Sequence, residues 1–442
     1  MVVSSLTVFF LMLLGLIAGI FSGYYLFAVL GGLGVIFGYV FWGPDVFNLV
    51  FLNFFGTVKN YTLLAIPLFV FMGNMLQHSG VANKLFDVLG VALGGLKGGL
   101  AVSALFISIL FAATTGIVGA SVVTMGLLFL PAMVKQNYDK SMASGVICAG
   151  GTLGILIPPS IMLVVYGPTA GLSVGKLFYG AMVPGIVLGV LYIVYVLIKC
   201  QLNPAAGPPL PIEERNRYST KEKLMGILIH IVPVLALIFA VLGVIWFGIA
   251  PPTEAAAIGA LASMLIAAAY GKLNLKVLKE TLYRSLQTSC MIYTIIIFAG
   301  LFVSVFMRLG GGNVVQNAFL SLPFGKWGIF FLMMFMVFIL GLLMDWIASM
   351  LIIVPIFTPI AASLGFDPLW FAIAVCVMYQ TSFLTPPFAY SIFYLKGVAP
   401  PGVTTGHIMR GVWPFVVLQI ITLLLVILFP QLVLWLPSLM IQ

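Results

Sequence analysis

Residues 151–166 read GTLGILIPPSIMLVVY, and residues 379–394 read YQTSFLTPPFAYSIFY. In both, a Pro-Pro pair interrupts an apolar run that reaches a tyrosine eight residues after the first proline. Proline has no amide hydrogen and its ring clashes with the carbonyl four residues back, so two in succession unwind a helix locally. The carbonyls freed by that unwinding need another partner wherever water is scarce. The composition says that it is scarce. Of 442 residues, 63% are hydrophobic and 7% charged, whereas soluble domains carry about 25% charge. Charge-free runs long enough to cross a hydrocarbon core of about 30 Å recur from end to end, and the alternating pattern of a membrane β-barrel is absent. The fold class is therefore an all-α polytopic membrane protein in a lipid bilayer, with two broken helices.

Apolar runs and their punctuation place spans near 5–22, 24–43, 61–80, 143–166 and 177–199, then near 227–249, 252–270, 287–307, 369–395 and 411–437. Two segments, 97–135 and 326–362, are too long for one crossing. Each is polar or glycine-bearing at its middle, with Thr114, Thr115 and Gly116 in one and Met344, Asp345 and Trp346 in the other. They are predicted to be re-entrant helical hairpins, each made of two half-helices. The polar stretch 199–223, KCQLNPAAGPPLPIEERNRYSTKEK, cannot lie in lipid and divides the chain into halves.

Sliding the sequence by 228 residues aligns 116–166 with 344–394 without a gap. The register matches Pro131 with Pro359, Asp139 with Asp367, Cys148 with Cys376, both diprolines, and Tyr166 with Tyr394. An odd number of spans separates equivalent segments, so the halves are predicted to be inverted structural repeats. With the 199–223 linker in the cytoplasm, fifteen of the 19 Lys and Arg residues fall inside. Lys59, Lys176, Arg308 and Lys326 fall outside, which satisfies the positive-inside rule. The net charge of +9 then reports topology and not a nucleic-acid partner, and both termini are expected in the periplasm. No cleavable leader is convincing, and the first span is expected to be retained.

Inverted repeats with interrupted helices are the build of secondary transporters that bind their cargo near the bilayer midplane. The predicted parts are a scaffold at 1–60, a transport part at 61–170 (hairpin 97–135, broken helix 143–166), and a second scaffold part at 171–285. A second transport part follows at 286–400 (hairpin 326–362, broken helix 369–395), and a C-terminal scaffold helix at 401–442. Segment 272–284, KLNLKVLKETLYR, alternates basic and apolar residues at helical spacing and is predicted to brace the cytoplasmic interface, with an outer counterpart near 46–60.

Unwound carbonyls and hydroxyls suit Na⁺, and half-helix N-termini suit a carboxylate. Two pseudo-symmetric Na⁺ sites are expected. The first draws on Thr115, Ser121, Gly151, Thr152 and Pro158; the second on Met344, Asp345, Ser349, Gln380 and Thr385. Substrate contacts are expected at Thr114, Thr115, Gly116, Ser160, Thr381 and Phe388. Asp345 is the only acid placed well inside the membrane, where it costs about 2.5–3.5 kcal/mol on insertion scales. It either contributes to a cation site or caps the helix that follows, since aspartate is a good N-cap. Glu254 reads as a first-turn residue at the outer interface. The run Gly310, Gly311, Gly312 reads as a flexible turn. The four cysteines and three histidines lack ligand spacing.

GTLGILIPPS (151–160), PPTEAAAIGA (251–260), MDWIASMLIIVPIFTPI (344–360) and TSFLTPPFAYSIFY (381–394), in that order, resemble signatures of one family. It is the large membrane (M) subunit of tripartite ATP-independent periplasmic (TRAP) transporters, and the likeness covers nearly the whole chain. The resemblance implies an elevator-type secondary transporter of the bacterial inner membrane, driven by Na⁺ as coupling ion. It implies three partners: a small membrane (Q) subunit, a periplasmic substrate-binding protein, and a small organic acid such as a dicarboxylate. The first hairpin tip, AATTGIVGAS (112–121), departs from the serine-rich run expected of sialic-acid carriers. With the first span beginning almost at Met1, a separate small subunit is expected. The alternatives are a stand-alone Na⁺/carboxylate symporter, a passive channel, and an intramembrane hydrolase, which would need the second intramembrane carboxylate or paired nucleophile that this sequence lacks.

Overall fold

A computed structural model of the chain describes residues 4–116, 118–386 and 389–440, the side chains of 113–115 excepted. Its first half runs α1 (Ser5–Phe21), α2 (Leu26–Trp42), α3 (Val46–Val58), α4 (Ala65–His78), α5 (Val81–Leu93), α6 (Gly99–Thr115), α7 (Val118–Lys135), α8 (Lys140–Thr152), α9 (Ile161–Ala170) and α10 (Val174–Leu202). The linker holds the short α11 (Ile212–Arg215). The second half continues with α12 (Thr220–Trp246), α13 (Pro252–Ala269), α14 (Leu275–Arg308), α15 (Gly311–Leu320), α16 (Gly325–Leu343) and α17 (Trp346–Ser363). It ends with α18 (Pro368–Leu384), α19 (Tyr390–Val398), α20 (Thr405–Leu428) and α21 (Gln431–Ser438). No strand occurs among the described residues. Among the described residues nine helical stretches, with α2 and α3 counted together as one, are long and apolar enough to cross a membrane, and their outward faces carry Leu, Phe and Ile that only lipid or a partner would cover.

Local chemistry sets most boundaries. Asp139 Oδ1 accepts from Met142 N at 2.7 Å to open α8, and Asp367 Oδ1 accepts from Leu369 N and Trp370 N at 2.8 and 3.0 Å to open α18. Both are side-chain N-caps that satisfy orphan first-turn donors, and they stand 228 residues apart, as do the two ends of α7 and α17. Ser219 and Glu222 form a capping box at the start of α12.

Each long segment does fold back as a hairpin. Leu100 N at the start of α6 donates to Tyr138 Oη just past α7 at 3.1 Å, and burial pushes that phenol up to about 12. Trp327 near the start of α16 packs edge-on to Phe366 past α17, 5.2 Å between ring centroids. The arms run 17 to 19 residues, about 25–28 Å at 1.5 Å per residue. Their lengths agree with the segments read from sequence, but three of them, α7, α16 and α17, are long and apolar enough to cross a membrane singly, where half-helices were expected.

Four other expectations change. Segment 272–284 is not a separate interfacial helix: it is continuous with the span that follows in the 34-residue α14, because no glycine or proline separates Arg284 from the apolar run. Its counterpart is a separate helix, α3. Gly310 is left-handed at φ 85° and Gly311 and Gly312 open α15, so the triplet starts a helix and is not a flexible turn. The 411–437 run is two helices, because Pro430 stops α20 short of α21. Finally, α10 and α20 pack chiefly along the hairpins and the broken helices, so the domain boundaries drawn from chain order at 171 and 401 do not follow the contacts. At the α8–α20 crossing a Cβ on Gly145 would lie 2.1 Å from the Gly411 carbonyl oxygen. Membrane helices approach this closely only through small residues.

Most of the other helices form a second group around α4, α13 and α14, with α2 and α12 against them, while α5 lies between α6 and α12 and α21 packs on α10 and α18. Here α4 and α14 run antiparallel: Tyr293 Oη donates to Leu63 O at 3.0 Å, Asn74 Nδ2 donates to Ser285 Oγ at 3.0 Å, and His78 Nε2 lies 3.8 Å from Glu280 Oε1. The linker is built into the base of the first hairpin, where Gly98 N donates to Gly207 O and Leu210 N to Gly94 O, both at 2.8 Å.

Candidate functional site

Both diproline segments interrupt their helices. Between α8 and α9 the chain passes through a single 3₁₀ turn (Leu153–Ile155) and a cis Pro158–Pro159 bond before Ser160. Two freed groups find partners inside the break: Leu153 O accepts from Ile157 N at 2.9 Å, and Ile155 O accepts from Ser160 Oγ at 2.6 Å. Ser160 thus closes the interruption from within. Between α18 and α19, Ser391 Oγ reaches back to Phe383 O at 2.7 Å. Thr381 and Thr385 donate to carbonyls one turn back, Val377 O at 3.0 Å and Thr381 O at 2.8 Å, which leaves lone pairs on both hydroxyl oxygens.

The tip of the first hairpin lies on the first break. Gly116 is left-handed at φ 60°, and a Cβ there would lie 3.0 Å from Ile161 Cγ1 and 3.2 Å from Ile161 N, at the start of α9. Gly154 in the break faces Ala112 and the Gly116 amide. A Cβ on Gly151 would lie 2.3 Å from Val122 Cγ2 and 3.0 Å from Val122 N, so α8 closes on α7 one residue from buried Ser121. Thr114 and Thr115 end α6, but their side chains lie outside the described residues, as does Phe388.

At the second tip Met344 is extended and buried, and Asp345 caps α17 through Oδ1, which accepts from Ile347 N at 2.9 Å. The capping alternative therefore holds. Ser349 Oγ pairs with Tyr379 Oη at 2.8 Å. Two residues assigned to separate cation sites meet each other: Gln380 Nε2 lies 3.5 Å from Thr152 Oγ1 across exactly the 228-residue offset. Glu254 stands in the first turn of α13, as expected, within 3.4 Å of Tyr61 Oη.

Sequence reasoning missed how the halves exchange partners. The second part of each broken helix leaves its own hairpin and packs on the other one, α9 on α17 and α19 on α7. Tyr394 of α19 consequently lies between the two hairpins: its ring sits 3.0 Å from where a Cβ on Gly119 would be, and it lies within electrostatic reach of Asp345, as does Tyr390. Its repetition in the diproline register was the available signal. No cluster of three or more His, Cys, Asp or Glu occurs among the described residues.

Comparison with known proteins accords with this geometry. Residues 6–432 match the family described as the tripartite ATP-independent periplasmic transporter, DctM component. The chain is 32% identical over 396 residues to the C4-dicarboxylate TRAP transporter large permease protein DctM of Pseudomonas aeruginosa, covering 89% of this chain and 90% of that one. It is 27% identical over 385 residues to the sialic acid TRAP transporter large permease protein SiaM of Vibrio cholerae, covering 87% and 88%. Among solved structures, the Alcanivorax borkumensis YdaH transporter aligns at TM-score 0.58 and 14% identity over 89% of both chains. Neisseria gonorrhoeae MtrF, from a class of antimetabolite efflux pumps, aligns at 0.60 and 15% over 96% of this chain and 94% of that one. Those two likenesses concern the fold alone. The chain belongs to the DctM family, the large membrane components of tripartite ATP-independent periplasmic transporters.

Proposed function

We propose that this chain is the permease subunit of a binding-protein-dependent, Na⁺-coupled secondary transporter that imports a small organic acid, of the C4-dicarboxylate kind, by an elevator movement. The observation that carries the reading is the family match across residues 6–432, and the relatives named for C4-dicarboxylates support the substrate class. Its place is the bacterial inner membrane, with both termini periplasmic. Its partners are a small membrane subunit and a periplasmic binding protein that delivers the acid.

The inverted repeat is supported by the equivalent caps at Asp139 and Asp367, by the exchanged packing of α9 and α19, and by the antiparallel α4 and α14. The hairpins, broken helices, α10 and α20 would move as one body against the α4–α13–α14 group. A Na⁺ ion at the first break would take oxygens of Thr115, Ser121, Gly151 and Pro158; one at the second would take Met344 O, Asp345, Ser349 and Thr385. The donor chemistry fits a hard monovalent cation, because Asp345 uses one carboxylate oxygen for its cap and Thr385 keeps lone pairs. The substrate carboxylates would lie between the tips, near Gly116, Thr381 and Tyr394. Each net positive charge that enters with the potential gains about 2.3 kcal/mol per 100 mV; two Na⁺ with a dianionic dicarboxylate move no net charge, and electrogenic uptake would need a further Na⁺ or a monoanionic substrate.

The test is uptake of a labelled C4-dicarboxylate into vesicles holding this chain, with and without the two partners and with and without a Na⁺ gradient. Uptake should require all of them. Transport by this chain alone would favour the stand-alone symporter, and transport indifferent to Na⁺ would reject the coupling.

A further inference from the structure

Four buried polar side chains gather where the halves touch, and three of them, Gln380, Tyr192 and Gln419, keep atoms without a protein partner. Thr152 ends α8, Gln380 lies in α18, Tyr192 in α10 and Gln419 in α20, and each is 0% exposed. Gln380 Nε2 reaches Thr152 Oγ1 only at 3.5 Å, while Thr152 itself donates to Ala149 O at 2.8 Å. Tyr192 Oη faces Gln419 and Thr152 without reaching bonding geometry to either. Gln380 Oε1, Tyr192 Oη and both amide atoms of Gln419 are left with no protein partner. The Phe415 ring packs edge-on to Tyr192 at 5.1 Å. A buried polar atom left unbonded loses its hydration without compensation, and native interiors hold few of them. Four at one point require an explanation.

We propose that this node is an internal hydration site, in which at least one water molecule bridges Gln380, Tyr192 and Gln419 beside Thr152. Water suits the site better than a cation, because the unpartnered atoms include N–H and O–H donors as well as amide oxygens, and only a ligand that both donates and accepts satisfies both kinds. A metal ion would leave the Gln419 N–H groups stranded and would find no carboxylate. The position matters to the fold. Residues 152 and 380 occupy the same place in the two halves, one at the end of α8 and the other one turn before the second break. A bridging water would therefore tie the two broken helices to each other and to α10 and α20. This inference stands independently of Na⁺ coupling.

The experiment is a cryo-EM map of the full chain in lipid nanodiscs, at a resolution that shows ordered water, in Na⁺ buffer and in choline buffer. A density peak within hydrogen-bonding distance of Gln380 Oε1 and of Tyr192 Oη or the Gln419 amide, present in both buffers, is expected. No peak, or a peak that disappears in choline, overturns the proposal. Melting temperature supplies a second reading through Gln419→Leu and Tyr192→Phe. At a hydrated node both variants lose bonds and melt a few degrees lower. At a dry node both relieve a buried polar atom, and an unchanged or raised melting temperature overturns the proposal.

Discussion

Gly116→Ala tests whether the first hairpin tip must touch the first break, and Gly325→Ala supplies its control. Both glycines hold left-handed backbone, at φ 60° and 61°, where a residue with a Cβ costs about 1–2 kcal/mol. Their surroundings differ. A methyl group on Gly325 would meet nothing within 4 Å, whereas one on Gly116 would lie 3.0 Å from Ile161 Cγ1 and 3.2 Å from Ile161 N. Backbone strain is shared by the pair, so their difference isolates the crowding of tip against break. Overpacking of this kind costs about 1–3 kcal/mol, and a state that needs the contact would lose about fivefold or more in occupancy, since 1.4 kcal/mol is a factor of ten. The assay is the initial rate of dicarboxylate uptake against Na⁺ concentration, alongside the melting temperature of each variant. Gly325→Ala should melt slightly lower and transport with the native Na⁺ dependence. Gly116→Ala should need about fivefold or more Na⁺ for half-maximal uptake. Indistinguishable Na⁺ curves for the two variants would refute the claim that the tip–break contact builds a cation site.

Asp345→Asn keeps a good N-cap and should retain the melting temperature, while Asp345→Ala should lose about 1 kcal/mol; if the carboxylate also serves Na⁺, both raise the Na⁺ requirement, and native Na⁺ dependence in Asp345→Asn would leave capping as its whole role. Gly145→Ala should destabilise by about 3 kcal/mol, because its Cβ would lie 2.1 Å from the Gly411 carbonyl oxygen and backbone must move. Gly397→Ala, in α19 with nothing within 4 Å, should be neutral or gain up to about 1 kcal/mol from helix propensity; equal melting temperatures for these two would show that the α8–α20 crossing is looser than described.

What the sequence by itself determined is local: each property arises within a few residues along the chain. Pro158 with Pro159, and Pro386 just past α18, stand where helices break, because a missing N–H and a ring clash act on the same turn. Asp139 and Asp367 open helices because a carboxylate reaches donors two or three residues ahead. Apolar length gave the spans, and repetition of these signals at one offset exposed the two halves. The gaps in the reading share one cause. Lipid tails are as apolar as leucine, so hydrophobicity marks a helix as buried in the membrane but does not choose its neighbours. That choice falls to shape, through glycine approaches such as Gly145 on Gly411 and Gly119 on Tyr394, and to single polar contacts such as Thr152 with Gln380. Only the tertiary structure could therefore place α10 and α20 beside the broken helices, carry α9 and α19 to the opposite hairpins, and bring Tyr192 and Gln419 together in the interior.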